Sequence, residues 1–468
     1  MNIIHISAEC YPVAKVGGLA DVVGALPKYQ NQLDVTCSVI MPFYNNHFTQ
    51  NNSFETIFSD TLKLGSESFD FSIKKSININ LGFELFFVDV NELTYREYIY
   101  SDNDTQRFLS FQIATLDWLL SLQEKPDIIH VHDHHTGLIP FMMTQSFKYD
   151  GLKYIPTILT IHNAQYQGWF PHHHVYLIPT FNIANIGLLD WGNQINPLAT
   201  AIKCAWKVTT VSPAYMEELK QNANGLESLL SHESNKCVGI LNGIDWNEWN
   251  TETDQNLEKN YNINSLVEGK KANKNWLCKK FNLDINKPLF AFIGRLVGEK
   301  GADLFTNIFR KALVENDISI LLLGSGDKGT ENELCKINNK NYNHYIGYNE
   351  KLAHIIYAGA DFLLMPSRVE PCGLNQMYSL RYGTVPVVSK IGGLKDTIID
   401  ISLENGFGIT HNNVSVSSVT DAIVRAKVFY NDNEKFNQNR KKIMQIDYSW
   451  NKSASDYVAL YKTLKTKR

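Results

Sequence analysis

Short runs of β-branched and other apolar residues alternate with amphipathic stretches of helical length, and the alternation begins twice. The first series runs through "NIIHISA", "CSVIMP", "ELFFVDV", "IIHVH", "TILTIHN", "KVTTVSP" and "CVGILNGI". The second restarts with "LFAFIGRL" and continues through "SILLLGSG", "HYIGY", "FLLMPS" and "VPVVSK". Strands spaced by helices in this way form βαβ units and parallel sheets. A chain of 468 residues also exceeds one ordinary core. The pattern therefore predicts an α/β protein of two doubly wound, Rossmann-like domains facing each other across a deep cleft, residues 1–245 and 246–445. The polar, aperiodic "WNEWNTETDQNLEKNYNINSLVEGKKANK" joins them, and residues 446–468 read as a helix with a basic end. Ligands of such sheets bind beyond the carboxyl ends of the strands, so the loops after strands are where chemistry is expected.

The totals exclude several classes. A net charge of −4 without a long basic run argues against a large nucleic-acid footprint. No apolar stretch approaches the roughly 20 residues that span a bilayer, and the strand at "MNIIHISAEC" leaves no room for a leader peptide. Seven cysteines, scattered singly and odd in number, fit reduced thiols and a cytoplasmic location better than a disulfide framework.

"KVGGLADVVGAL" (15–26) follows the first strand, and "KIGGLKDTI" (390–398) repeats its pattern late in the chain. Lys15, Gly17 and Gly18 read equally well as a cradle for an anion at a helix start or as a tight turn with no ligand. In "IIHVHDHHTGL", Asp133 reads as a cap for the following helix. The four histidines there lack carboxylate or cysteine partners at metal spacing, so no metal is assigned. "TIHNAQYQGWF" sets His162 and Asn163 among aromatic residues, a combination suited to a sugar. Asp102 and Asp104 precede a helix and read as caps rather than as a cation site. Arg295 and Lys300, in "FIGRLVGEKGADL", can clamp a diphosphate. Gly324 and Gly326 form a glycine loop suited to a nucleotide's base or ribose. The most informative stretch is "MPSRVEPCGLNQMYSL", with Glu370, Cys372, Gly373 and Leu374 between a strand and a helix.

Taken in order, KVGGL, HVHDHHTGL, IHNAQYQG, TTVSPAY, LNGID, GRLVGEKG and SRVEPCGLNQ resemble the bacterial glycogen synthase and plant starch synthase family, across essentially the whole chain. The resemblance implies retaining glycosyltransferases of the GT-B fold, with the C-terminal helix crossing back toward the first domain. It implies transfer of glucose from ADP-glucose to the non-reducing end of an α-1,4-glucan, without cofactor, membrane or nucleic acid. Whether the protein forms oligomers is left open. By the same resemblance, Lys15, Gly17 and Gly18 approach the diphosphate, and Arg295 and Lys300 bind the phosphates. Asp133, His162, Asn242 and Glu370 contact glucose, with Asp21 nearby. Cys372, Gly373 and Leu374 line the sugar–phosphate loop, Tyr348 meets adenine, and Arg96 and Tyr100 lie near the acceptor path.

Two positions depart from the family pattern: His134 where tryptophan is common, and Ala199 or its neighbours where a lysine is common; Tyr378, where some related transferases carry a second glutamate, fits the synthase branch. A UDP-glucose-preferring synthase and a non-catalytic glucan-binding protein on this fold are the competing readings. A phosphorylase would need a Schiff-base lysine for pyridoxal phosphate, and no stretch resembles that site.

Overall fold

The computed structural model describes residues 1–102 and 104–465. Positions 466–468, the end of the helix expected over 446–468, lie outside the described residues. The chain divides into two compact units, Met1–Asn242 with Trp450–Arg468, and Gly243–Ser449. The second unit is thus inserted into the first. Its entry and exit strands are tied side by side, because Ile244 N–H donates to the Tyr448 carbonyl at 2.9 Å and Ile244 bridges to Ser449. Gly243, Ile244 and Asp245 thus belong to the second unit, where the sequence set the division after residue 245, and that unit runs on to Ser449, where the sequence ended it at 445.

The first unit is built on nine strands: β1 Asn2–Ile6, β2 Thr36–Pro42, β3 Ser53–Leu64, β4 Glu67–Ile77, β5 Glu84–Val90, β6 Ile128–His132, β7 Thr157–Ile161, β8 Lys207–Thr210 and β9 Cys237–Gly239. They lie in the order β3-β4-β5-β2-β1-β6-β7-β8-β9. From β5 to β9 every pairing is parallel. β6 and β7 are buried at every residue, as strands covered on both faces must be. β3 and β4 form an antiparallel hairpin at the sheet's edge. No apolar run announces it, since most of β3 is exposed.

On one face, the helix Trp450–Lys465 packs beside the helix Gly18–Gln30. Trp450, Tyr457, Val458, Tyr461 and Leu464 share a core with Ile3, Leu26, Ile128 and Ile158.

The second unit has six parallel strands: β10 Leu289–Leu296, β11 Ser319–Gly326, β12 Tyr342–Ile346, β13 Phe362–Met365, β14 Val385–Ser389 and β15 Ile409–His411, in the order β12-β11-β10-β13-β14-β15. The helix Leu266–Phe281 leads into it.

Each sheet has one point where strand order reverses, between β1 and β6 in the first unit and between β10 and β13 in the second. At such a point adjacent connections leave in opposite directions and open a crevice at the strand ends. Glu9–Gly18 follows β1, Asp133 follows β6 and His162 follows β7, while Arg295–Lys300 ends and follows β10 and Glu370–Leu374 lies beyond β13.

Candidate functional site

In the first unit the loop after β1 is organised by a residue that the sequence did not single out. Glu9 is buried. Its Oε2 accepts the N–H of Val16 at 2.5 Å and of Gly17 at 3.1 Å, and its Oε1 accepts the Tyr100 hydroxyl at 2.5 Å. The sequence left this stretch equally open to an anion cradle or a ligand-free turn; its Val16 and Gly17 amides are held by an internal carboxylate. The available signal was an acid directly after a strand, in "SAEC". Lys15 Nζ pairs with Asp21 Oδ1 at 2.6 Å. A Cβ at Gly17 or Gly18 would meet nothing within 4 Å, so no crowding inside the chain calls for glycine at either position. Tyr100 also stacks on His135, centroids 4.7 Å apart. Arg96 does not join it: the guanidinium is exposed and donates to the Glu92 carbonyl.

Asp133 does not cap a helix. Its Oδ1 accepts the backbone N–H of His162 at 2.7 Å, which links the loops after β6 and β7. The residue sits at φ 55°, a left-handed conformation that costs about 1–3 kcal/mol away from glycine and concentrates at functional sites. Burial pushes the carboxyl up to about 7, against the hydrogen bonds from the His162 and Asn163 amides. Burial lowers the His162 imidazole to about 3, so the ring is neutral. Asn242 is buried, and its Oδ1 has no hydrogen-bond partner among the described residues. Asp104 likewise does not cap: its carboxylate holds Ser101 and Arg107.

The sequence shows no third ligand beside His130 and His132. The β1–β6 register supplies one by setting His5 opposite His130, and ligand atoms of all three come within 4.8 Å of one another. Every ring nitrogen of the three is already hydrogen-bonded, to Gln30, Tyr461, Thr160, His162 or within the trio.

In the second unit, Lys300 closes a short turn after β10 and Glu370 lies beyond β13. Lys300 Nζ is 2.7 Å from Glu370 Oε1, and Ser367 Oγ donates to Glu370 Oε2 at 2.8 Å. Ser367 is a second participant that sequence reasoning missed. Arg295 extends into solvent with Glu299 Oε2 at 3.7 Å. Gly373 has φ 71°, and a Cβ there would come within 2.5 Å of the Gln376 side chain. Cys372 is buried, and Leu374 precedes the helix Asn375–Arg381. The late Gly-Gly pair braces this loop: Gly393 N–H donates to the Glu370 carbonyl at 3.1 Å, and a Cβ on it would fall 2.0 Å from the Cys372 oxygen. Tyr348 is an exposed ring after β12.

Gly324 and Gly326 belong to a strand rather than to the loop expected from the sequence. They lie within β11, where a Cβ would strike the carbonyls of Gly294 and Leu296 at 2.1 and 2.4 Å. All three positions compared with related transferases serve packing. His134 covers Gly168, Ala199 is buried in a helix, and Tyr378 stacks on Trp249 with centroids 3.7 Å apart.

Two doubly wound units, each gathering charged and polar groups at its own switch point, have the build of a GT-B glycosyltransferase. Comparison with known proteins gives the narrower grouping. Residues 2–232 match the family model for the starch synthase catalytic domain, and residues 274–443 match that for group 1 glycosyl transferases. The glycogen synthase of Flavobacterium johnsoniae is 50% identical over 467 residues, covering 98% of each chain. That of a Hydrogenobaculum strain is 37% identical, covering 99% of each. The catalytic domain of starch synthase IV from Arabidopsis thaliana, solved with ADP and acarbose, superposes with a TM-score of 0.89 at 32% identity over 99% of each chain. The chain belongs to the glycogen synthase and starch synthase family and is a retaining glycosyltransferase.

Proposed function

We propose that the chain transfers glucose from ADP-glucose to the non-reducing 4-hydroxyl of an α-1,4-glucan, retaining the anomeric configuration. The observation that carries this reading is the arrangement around Glu370: a buried carboxylate with Lys300 on one oxygen and Ser367 on the other, at a sheet's switch point. In this reading Arg295 and Lys300 bind the donor phosphates, as do Lys15, Gly17 and Gly18, and Asp21 lies near the glucosyl group. Cys372, Gly373 and Leu374 line the sugar–phosphate loop, and Tyr348 lies against adenine. Asp133, His162, Asn242 and Glu370 take the glucosyl hydroxyls, and Arg96 and Tyr100 lie along the glucan path. The ADP and acarbose carried by the Arabidopsis relative support the choice of donor and acceptor.

The chemistry follows from charge. As the glycosidic C–O bond to the diphosphate lengthens, negative charge grows on the leaving phosphate and positive charge on the sugar. Fixed cations aimed at the phosphate stabilise that separation more than they stabilise the ground state. No carboxylate is assigned as a covalent nucleophile. The acceptor hydroxyl attacks the face that the diphosphate leaves and passes its proton to the departing phosphate oxygen.

Incubation with labelled ADP-glucose or UDP-glucose and glycogen tests the proposal. Label entering polymer from ADP-glucose, and lost in Glu370→Ala, is expected. Label from UDP-glucose alone, or from neither, overturns it.

A further inference from the structure

The buried histidines behind His162 belong to one hydrogen-bonded chain, and its direction can be read from its far end. Thr209 Oγ donates to the Leu159 carbonyl at 3.3 Å, and a carbonyl can only accept. Thr209 Oγ is then free to accept from Thr160 Oγ, 2.6 Å away. With its proton committed, Thr160 accepts from His130 Nε2 at 2.6 Å. A neutral His130 with hydrogen on Nε2 has a bare Nδ1, which accepts the Tyr461 hydroxyl at 2.7 Å. Tyr461 accepts in turn from Gln30 Nε2 at 3.0 Å, which points the Gln30 carbonyl at His5 Nε2, 2.8 Å away. The Cys37 thiol, 3.1 Å from that same carbonyl oxygen, adds a weak donor in the same sense.

The second half follows the same logic. His5 donates through Nε2, so its Nδ1 accepts from His132 Nε2 at 3.1 Å. His132 Nδ1 then accepts from His162 Nε2 at 3.0 Å. His5, His130 and His132 are wholly buried, and burial lowers all three below the ordinary imidazole range, which keeps each ring to a single proton.

We infer that this chain, from the Leu159 carbonyl through Tyr461, Gln30, His5 and His132, holds His162 as the Nε2–H tautomer, with Nδ1 presented as a bare acceptor for a donor hydroxyl. Tyr461, Gln30, His5 and His132 are on this account positioning residues for His162. The role given to Nδ1 rests on the reading above, in which His162 meets the glucosyl unit; the tautomer itself does not. A sugar hydroxyl binds an acceptor nitrogen with its own proton, and a ring flipped to Nδ1–H would offer it a donor instead. Because each imidazole and hydroxyl link carries one proton and the Gln30 amide has one donor end and one acceptor end, reversing any link requires reversing its neighbours, which is why a phenol far along the chain can set the state of a ring at the site. The same accounting explains why the trio is not read as a metal site: an ion would have to displace hydrogen bonds from nitrogens that all have partners.

The test is the tautomer of His162 in the full-length protein labelled with ¹⁵N-histidine, read from ring-nitrogen shifts near neutral pH without substrate and assigned with His162→Asn. The expected spectrum has a protonated-type Nε2 and an unprotonated-type Nδ1. Tyr461→Phe and Gln30→Met, which interrupt the chain at different links, should each move His162 toward a mixture of tautomers and lower kcat several-fold. An Nδ1–H tautomer in the unaltered protein overturns the inference, as does an unchanged tautomer in either folded variant. If neither variant folds, the unaltered protein's spectrum decides alone. The expected tautomer without glucosyl transfer would overturn the proposed function and leave this inference standing.

Discussion

Lys300 Nζ and Glu370 Oε1, seventy positions apart in sequence, stand 2.7 Å from each other, with most of both side chains out of water. The pair joins the turn after β10 to the loop after β13. Losing either partner should do more than remove one contact, because the other is left charged without its counter-ion.

Glu370→Gln keeps the shape and removes the charge. We expect kcat to fall by about 10²–10³, the range seen when one fixed electrostatic group is removed from a transition state. Lys300→Ala should in addition weaken ADP binding, measured by calorimetry, whereas Glu370→Gln should not. Equal loss of ADP binding in both would mean that the pair serves only to hold the loops.

Asp133 gives a pH signature. Its folded-state carboxyl, near 7, lies above its ordinary 3.8, so between these values the native state binds more protons than the unfolded one. Stability contributed by this group therefore falls as pH rises from about 4 to about 7 and is constant above. Asp133→Asn should remove that slope in denaturant titrations compared across the window.

His5 acts in the opposite direction. Burial lowers it from 6.5 to about 4, so the unfolded state binds more protons in that interval and stability is lost as pH falls through it. His5→Asn should reduce the acid sensitivity between pH 6.5 and 4, as followed by melting temperature, even if the variant starts from a lower value at neutral pH.

The two Gly-Gly pairs should separate on alanine substitution. Gly393→Ala pushes a Cβ into the Cys372 carbonyl, so we expect lower stability together with reduced turnover. Gly17→Ala meets open space, so its stability should stay within about 1 kcal/mol, with any defect confined to the KM for donor. A large loss of stability at Gly17 would show that the loop is shaped by packing alone.

What could be read from the sequence was set by distance along the chain. Runs such as "SILLLGSG" and "LFAFIGRL" announce buried parallel strands because nearly every residue is apolar or small, and loops after strands are local by definition. His162, Arg295 and Glu370 were singled out on that basis. The β3–β4 hairpin escaped because its exposed face is polar. Glu9 and Ser367 escaped because their partners lie on other segments. His5 is an inconspicuous member of "NIIHI" until strand register sets it opposite His130. Tyr461 stands 331 positions from His130, beyond any periodicity. Read locally, Asp133 was a cap, and only the family resemblance gave it a place beside the sugar; its carboxylate instead accepts the N–H of His162, twenty-nine positions later.

The side-by-side entry and exit of the second unit, at Ile244 and Ser449, fix an order of synthesis. A ribosome makes the whole of the second unit before it makes Trp450–Lys465, so the nascent first unit waits without its last helix. During that wait the layer of Ile3, Leu26 and Ile128 lacks its cover, and His130 and Gln30 lack the phenol that joins them. Completion of the earliest-made sheet is thereby deferred to the final seconds of translation, and a chain cut short near residue 449 would leave its first-made half permanently unfinished.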